Sequence, residues 1–300
     1  MMAHRATIAI IAERRHLENA SIREAHAAFE AAGYLVDVVV PGAERLFDIP
    51  DEAPPWEAAL SRGRDLTGLA LLAAVAALGV LAINTPHSIE LVRNKVAMQA
   101  VLQQHGMPVP RTWFAARPAV FRRLADEQFP LVVKPFDGDG ARGLWLLTRP
   151  EDADQLPELG DDRSIYLAQT LLETDGWDLK LYGIGSHTWA VRKPSPVRFN
   201  GPGAAELRSA EGAQRVALDP RLRDIALTCG RACGLDLWGV DVAMTPSGPV
   251  IIEVNDFPTY SAVPEAGALI AGHVLSRLNV EALLRSAGRD KSLSMIRSPQ

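Results

Sequence analysis

Two acids and an amide carry the strongest chemical signal in the chain. In the stretch Val250-Ile251-Ile252-Glu253-Val254-Asn255-Asp256-Phe257-Pro258, an extended strand places Glu253 and Asn255 on one face, because alternate side chains share a face. Ile252 and Val254 are then expected in the core. Upstream, Leu237 to Met244 also reads as a strand, and Thr245-Pro246-Ser247-Gly248-Pro249 supplies a turn. Pairing Met244 with Val250 sets Asp241 directly opposite Glu253. Like charges facing each other across a strand pair repel, unless a cation lies between them. Two carboxylates and an amide oxygen suit a hard ion such as Mg2+, which keeps its remaining positions for water and phosphate oxygens. A solvated sheet face with unrelated polar residues accounts for the same hairpin, so taken alone it leaves both readings open.

A second group of residues suits anions. Lys134 ends the apolar strand Leu131-Val132-Val133 and precedes Pro135 and the loop Asp137-Gly138-Asp139-Gly140-Ala141-Arg142-Gly143. A lysine at a strand end beside exposed backbone amides is a phosphate-binding arrangement, since point charge and N–H dipoles both favour an anion. The pattern G-x-x-x-x-G-K-[ST] occurs nowhere, so this is not a Walker loop, and Asp-Gly-Asp-Gly is also a common hairpin turn. There is no G-x-S-x-G elbow and no convincing Cys–His pair to supply a nucleophile. The two cysteines, Cys229 and Cys233, are too few for a structural zinc site and read as small buried residues. His187 and His273 read as packing or surface residues.

These groups need elements to hold them. Thr7 to Ala12 reads as a strand, Ser21 to Ala32 as a helix ending at Gly33, and Leu35 to Val40 as a second strand, which together form a parallel crossover unit. The Pro-, Asp- and Glu-rich stretch from Pro41 to Pro55 reads as a loop. A helix from Leu69 to Leu78 and a strand from Val80 to Ile83 extend the same sheet. A helix from Ser88, as N-cap, to His105 is stopped by Gly106, Pro108 and Pro110. Strands follow at Thr112–Ala115, Leu131–Lys134, Leu144–Thr148, Ile165–Thr170, Trp177–Ile184 and Thr188–Lys193. Helices are expected at Pro118–Gln128, Pro220–Cys233 and Ala268–Ser286. The segment 194–217 has no clear pattern, and no internal repeat is present.

Composition narrows the classes. The 300 residues are 48% apolar and 22% charged, ordinary values for a folded chain of two or three packed units. A net charge of −5 gives no electrostatic case for nucleic acid. The longest apolar run, Leu69 to Ile83, is shorter than the roughly 20 residues that span a bilayer. The N-terminus lacks a signal-peptide pattern, so the expected compartment is the cytoplasm, with no membrane partner.

Taken in order, Lys95, Lys134, the 137–143 loop, Gln169-Thr170-Leu171-Leu172, Lys180, Arg192 and the Asp241/Glu253/Asn255 group resemble the ATP-grasp superfamily over roughly residues 80 to 275. Arg93-Asn94-Lys95-Val96-Ala97-Met98-Gln99 is similar to the helix start of RimK-type ligases. The resemblance implies an α/β fold with an N-terminal open parallel-sheet domain at 1–90. Two α+β subdomains at 91–170 and 171–287 would then clasp ATP, and 288–300 would form a tail. It also implies ATP and Mg2+ as cofactors. Lys95, Lys134, Gly138, Asp139, Gly140 and Gly143 match phosphate-binding positions, Gln169, Leu171 and Leu172 the adenine-bracketing segment, and Asp178 a ribose-contacting acid. Asp241, Glu253 and Asn255 match metal ligands. Lys180 and Arg192, on neighbouring strands and expected to face one region, match groups that hold transferred phosphate or an anionic substrate. Arg198, Asn200 and Arg208 fall where related ligases place acceptor contacts.

The implied activity is ligation of a small-molecule or peptide carboxylate to an amine through an acylphosphate, which needs no side-chain nucleophile. The alternative is a small-molecule kinase with a hydroxyl acceptor, since Asn255-Asp256-Phe257-Pro258-Thr259-Tyr260 is also similar to inositol phosphate kinases. Those kinases carry a His-Gly-Gly stretch before the lysine matching Lys180, where this chain has Glu173-Thr174-Asp175-Gly176. A nucleotide-binding protein without turnover is a third class, disfavoured by the joint presence of Lys134, Asp241 and Glu253. RimK-type enzymes carry an Arg, Asn and His-Gly-Gly pattern in this segment, of which this chain keeps only Arg198-Phe199-Asn200. Transfer of glutamate does not follow from it. A homo-oligomer fits the pattern of similar proteins.

Overall fold

The computed structural model describes residues 6–42, 44–49, 51–136, 143–157, 165–195, 197–199, 201–207 and 212–296. They divide into two compact units: 1–87 with 235–237 and 257–300, and 88–234 with 238–256.

In the first unit β1 (Thr7–Ala12) leads through α1 (Arg14–Leu17) and α2 (Ala20–Ala31) to β2 (Leu35–Val39). After β3 (Trp56–Arg62) come α3 (Leu66–Ala77) and β4 (Leu81–Ile83). The four strands form a parallel sheet in the order β2-β1-β3-β4. Strand β3 falls outside the sequence expectation. Its buried residues are Ala58, Ala59, Leu60 and Ser61, which lack the β-branched signature of a strand. The final helix, α7 (Ala266–Ile296), packs on α2 within this unit. It runs through 288–296, the stretch expected as a tail: an isolated Gly288 costs a helix only about 1 kcal/mol, and no proline intervenes before Pro299.

Helix α4 (Pro86–Arg93) leads into the second unit, followed by α5 (Lys95–Gln104). The sequence predicts one helix over 88–105, and two are present. Asn94 leaves helical geometry and its side chain accepts the Ala97 N–H at 3.0 Å, acting as the N-cap of α5. Ser88 lies inside α4 instead of capping it, and its Oγ donates to the Gly234 carbonyl at 2.7 Å. One five-stranded sheet contains β5 (Thr112–Ala115), β6 (Leu131–Pro135), β7 (Trp145–Leu147), β8 (Tyr166–Thr170) and β12 (Gly203–Ala204), in the order β12-β7-β6-β8-β5. The other contains β9 (Trp177–Ile184), β10 (His187–Pro194), β14 (Gln214–Val216), β15 (Leu237–Thr245) and β16 (Gly248–Asn255), in the order β14-β10-β9-β15-β16. Short strands β11 (Val197–Arg198) and β13 (Glu206–Leu207) pair separately, and α6 (Pro220–Ala232) is capped by Asp219.

The expected helix over 118–128 is two 3-10 turns, Pro118–Arg123 and Asp126–Gln128. Only Pro118 and Phe121 of this stretch are buried, an i,i+3 pair that 3-10 geometry aligns on one edge. Phe121 joins Leu131, Val133, Leu147, Tyr166 and Ala168 in a core layer. Because Leu131 and Val133 face that layer, the alternation of β6 turns Lys134 to the opposite face. In the other sheet Trp238 fills the space that glycine leaves on two elements. A Cβ on Gly183 of β9 would lie 2.1 Å from the indole, and one on Gly230 of α6 would lie 2.6 Å from it. The Trp238 indole N–H donates to the Ala226 carbonyl at 3.0 Å. That packing fixes β15, the strand carrying Asp241.

Candidate active site

Asp241 stands directly opposite Glu253 across the β15–β16 pair. The register that leads there differs from the sequence argument. Val250 pairs with Ala243 and Met244 with Pro249, and a bulge between Asp241 and Val242 shifts the register by one before Glu253 is reached. Ile252 is the extra residue of the bulge. It is half-buried, whereas Ile251 and Val254 enter the core, since a bulge breaks strict alternation and re-aims the side chains beside it. Asn255 remains on the Asp241 side, where its Nδ2 donates to Asp241 Oδ2 at 2.8 Å.

Three lysines converge on the two carboxylates. Lys95, buried at the first position of α5, is ion-paired with Glu253. Lys180 of β9 is 3.1 Å from Asp241 Oδ1 and 6.0 Å from the Tyr182 ring centre. Burial works against the charge of Lys180, but the Asp241 carboxylate outweighs it and holds the pKa above the ordinary lysine value. Lys134 is pushed down to about 8, chiefly by burial; Glu253 and Asp241 oppose the shift and Lys95 adds to it. Three ammonium groups against two carboxylates leave an excess of positive charge, suited to a polyanion.

Glu253, Val254 and Asp256, at and just past the end of β16, are held by the α4–α5 junction. Arg93 donates to Asp256 at 2.9 Å, Lys95 pairs with Glu253, and the Val254 N–H lies 3.2 Å from Met98 Sδ. Sequence reasoning passed over Arg93 and Asp256, although a base two residues before Lys95 and an acid just after Asn255 were a legible signal.

Arg192 does not face Lys180. The two-residue turn at Gly185-Ser186 pairs Lys180 with Val191 and Arg192 with Leu179, so side chains that share a face have opposite parity on the two strands. Arg192 turns to the other face, where it contacts Asp175 at 2.6 Å and lies 4.5 Å over the Trp177 ring. The base that shares a face with Lys180 is Lys193, opposite Asp178, and hairpin parity would have found it. Burial raises the Asp178 pKa, against a hydrogen bond from Ser195 and the charge of Lys193.

The remaining candidates are dispersed. Gly143 has φ +73 and would bring a Cβ to 3.3 Å from the Pro135 ring; Gly138, Asp139, Gly140, Asn200 and Arg208 lie outside the described residues. The Gln169 side chain is tied into a buried network, donating to Gln99 and Thr112 at 3.0 Å. The Leu171 N–H donates to the Pro130 carbonyl at 3.0 Å, and Leu172 follows in the same irregular segment. Arg198 is exposed on the β11–β13 pair, opposite Glu206. Both cysteines are buried, with thiols pushed up to about 12 for Cys229 and about 11 for Cys233 by burial, so neither is a reactive thiolate.

Among the described residues no three His, Cys, Asp or Glu side chains cluster as a metal set. The oxygen donors that do converge are Asp241, Glu253 and, once its amide rotates, Asn255. That hard, oxygen-only donor set fits Mg2+ completed by phosphate and water.

The chain folds as an ATP-grasp protein. D-cycloserine synthetase DcsG aligns with TM-score 0.71 and 19% identity over 91% of this chain and 100% of its own. A RimK domain ATP-grasp protein from Sphaerobacter thermophilus DSM 20745 aligns with TM-score 0.67 and 24% identity over 90% and 100%. The RimK-like ATP-grasp domain model matches residues 92–278, and the chain belongs to that family. Its curated relatives include a probable alpha-L-glutamate ligase 2 of Shewanella sp. (strain MR-4), 28% identical over 78% of this chain and 80% of that protein. A probable alpha-L-glutamate ligase of Vibrio atlanticus (strain LGP32) is 27% identical over 86% and 90%. The protein is an ATP-dependent carbon–nitrogen ligase. No helix among the described residues is long and apolar enough to cross a membrane.

Proposed function

We propose that this enzyme activates a carboxylate with ATP at the Lys95/Lys134/Lys180 cluster and joins it to the amino group of an amino acid or peptide. The observation that carries the reading is the convergence of these lysines on the Asp241/Glu253 pair. Lys95 and Lys134 hold the nucleotide phosphates, and Gly143 lets the chain turn tightly beside them. Asp241, Glu253 and Asn255 hold Mg2+, which when bound neutralises the terminal phosphates. Lys180 and Lys193, on one face, stabilise the phosphoryl group as it passes to the substrate carboxylate. Arg192 has no part in this step. The amine then attacks the acyl carbon and phosphate leaves, giving the amide. The names of the curated relatives support an amino-acid amine, with glutamate the first to test.

The test is ADP release with pooled carboxylate substrates and amino acids, with hydroxylamine as a trap. A hydroxamate together with amino-acid-dependent ADP release is expected. ADP release on a polyol with no trapped hydroxamate would overturn the reading.

A further inference from the structure

Each acid assigned to the metal already has an ammonium partner: Lys95 on Glu253 and Lys180 on Asp241. The amide of Asn255 presents its donor, not its oxygen, to Asp241. Lys134 adds a third positive charge that both acids feel. A divalent cation entering alone therefore meets carboxylates whose charge is already neutralised, in a cluster that is positive before it arrives. An incoming triphosphate changes that balance. Its oxygens are stronger partners for ammonium groups, and they supply ligands that a cation of this class prefers to keep from outside the protein.

Resting on the proposed function, we infer that Lys95 and Lys180 are placeholders that silence the cation site until nucleotide arrives. Nucleotide draws the two lysines from carboxylate to phosphate, Asn255 turns its Oδ1 inward, and the freed acids then take the cation. Cation binding is thus conditional on nucleotide, and Lys95 and Lys180 each act as a counter-ion in one state and a phosphate ligand in the other. No bond is made or broken in the exchange.

The experiment measures Mn2+ binding to the full chain by electron paramagnetic resonance, with and without a non-hydrolysable ATP analogue, after subtraction of the free Mn–analogue complex. The wild-type protein is expected to bind Mn2+ at least tenfold more tightly with the analogue. Lys95→Met and Lys180→Met should each tighten Mn2+ binding without nucleotide several-fold, while the analogue binds more weakly. Lys95→Arg keeps the charge and should keep the weak nucleotide-free binding of the wild type, which separates silencing from a general disturbance of the fold. Equal Mn2+ affinity with and without the analogue in the wild type, or no tightening in either Met variant, would overturn the inference. Loss of the underlying metal assignment has a different signature: Asp241→Asn and Glu253→Gln would then leave analogue-dependent Mn2+ binding unchanged.

Discussion

Asp236 and Asp241 are five residues apart in the sequence, and each accepts basic partners, yet they do opposite things. Asp236 is nearly buried, its Oδ1 bonded to His273 Nε2 at 2.7 Å and to Arg277. Its backbone N–H and that of Leu237 are taken by Asn84 Oδ1 at 2.7 and 2.8 Å, and Asn84 Nδ2 donates to the Leu237 carbonyl at 2.7 Å. This polar network needs no outside ligand. Asp241 instead confronts another acid across a strand pair and is held by a lysine, the most adaptable of cations. An internally complete ion cluster joins segments of one unit; one in which like charges face each other is poised to exchange partners.

The difference is tested most severely at Glu253. Glu253→Gln preserves shape and removes one of the two facing charges. Turnover measured as ADP release should fall on the order of 10²–10³-fold, the scale of losing one preorganised charged contact, while the thermal midpoint stays close to wild type. Unchanged turnover would remove the metal assignment.

Asp236→Asn should show the reverse pattern. Charge-assisted hydrogen bonds to His273 and Arg277 are replaced by neutral ones, and stability measured by urea unfolding should drop by about 2–3 kcal/mol, with turnover per folded molecule retained. The sign with pH follows from the depressed pKa. Burial alone would raise it, but the His273 hydrogen bond and the Arg277 charge prevail and lower it below 3.8. This contribution is present above the unfolded value and is lost as pH falls through the folded one, so the variant should lack part of the acid-unfolding limb. A loss of turnover per folded molecule would mean that the two clusters are not functionally distinct.

The sequence made one of these clusters legible and not the other. The hairpin of Asp241 and Glu253 could be read because strand alternation and a Pro-Gly turn act over short range, and even a mistaken register near the turn led to the right pair. Two compensating shifts produced that success: the turn pairs Met244 with Pro249, and the bulge at Ile252 restores the facing acids. Asp236 gave no signal, because its partners lie 37 and 41 residues away on α7. The same limit hid β3, whose alanines mark no element type. The error at Arg192 was of another kind. Hairpin parity is local and follows from Gly185-Ser186, whereas adjacency of strands alone does not imply a shared face.

The smallest expected effect concerns Lys134, whose burial separates it from the other two lysines. With a pKa near 8, Lys134 in the nucleotide-free protein loses its charge between pH 7 and 9, whereas Lys180 is held above the ordinary lysine value and stays charged. The KM for ATP should therefore rise above pH 8, by up to about tenfold at pH 9, since one unit above its pKa only about a tenth of a group is protonated. Stability rises over the same range, opposite to ATP affinity. A lysine with a lowered pKa burdens the fold while both states are charged, and that cost disappears as pH climbs from about 8 towards 10.5. The nucleotide-free protein should gain stability from this group over the range in which it loses ATP affinity. Lys134→Arg, whose guanidinium remains charged throughout, should abolish both slopes. Steady-state KM and thermal midpoints from pH 7 to 10 measure them together: both should rise, and a KM that stays flat or falls while the midpoint rises would show that the charge of Lys134 does not hold the nucleotide.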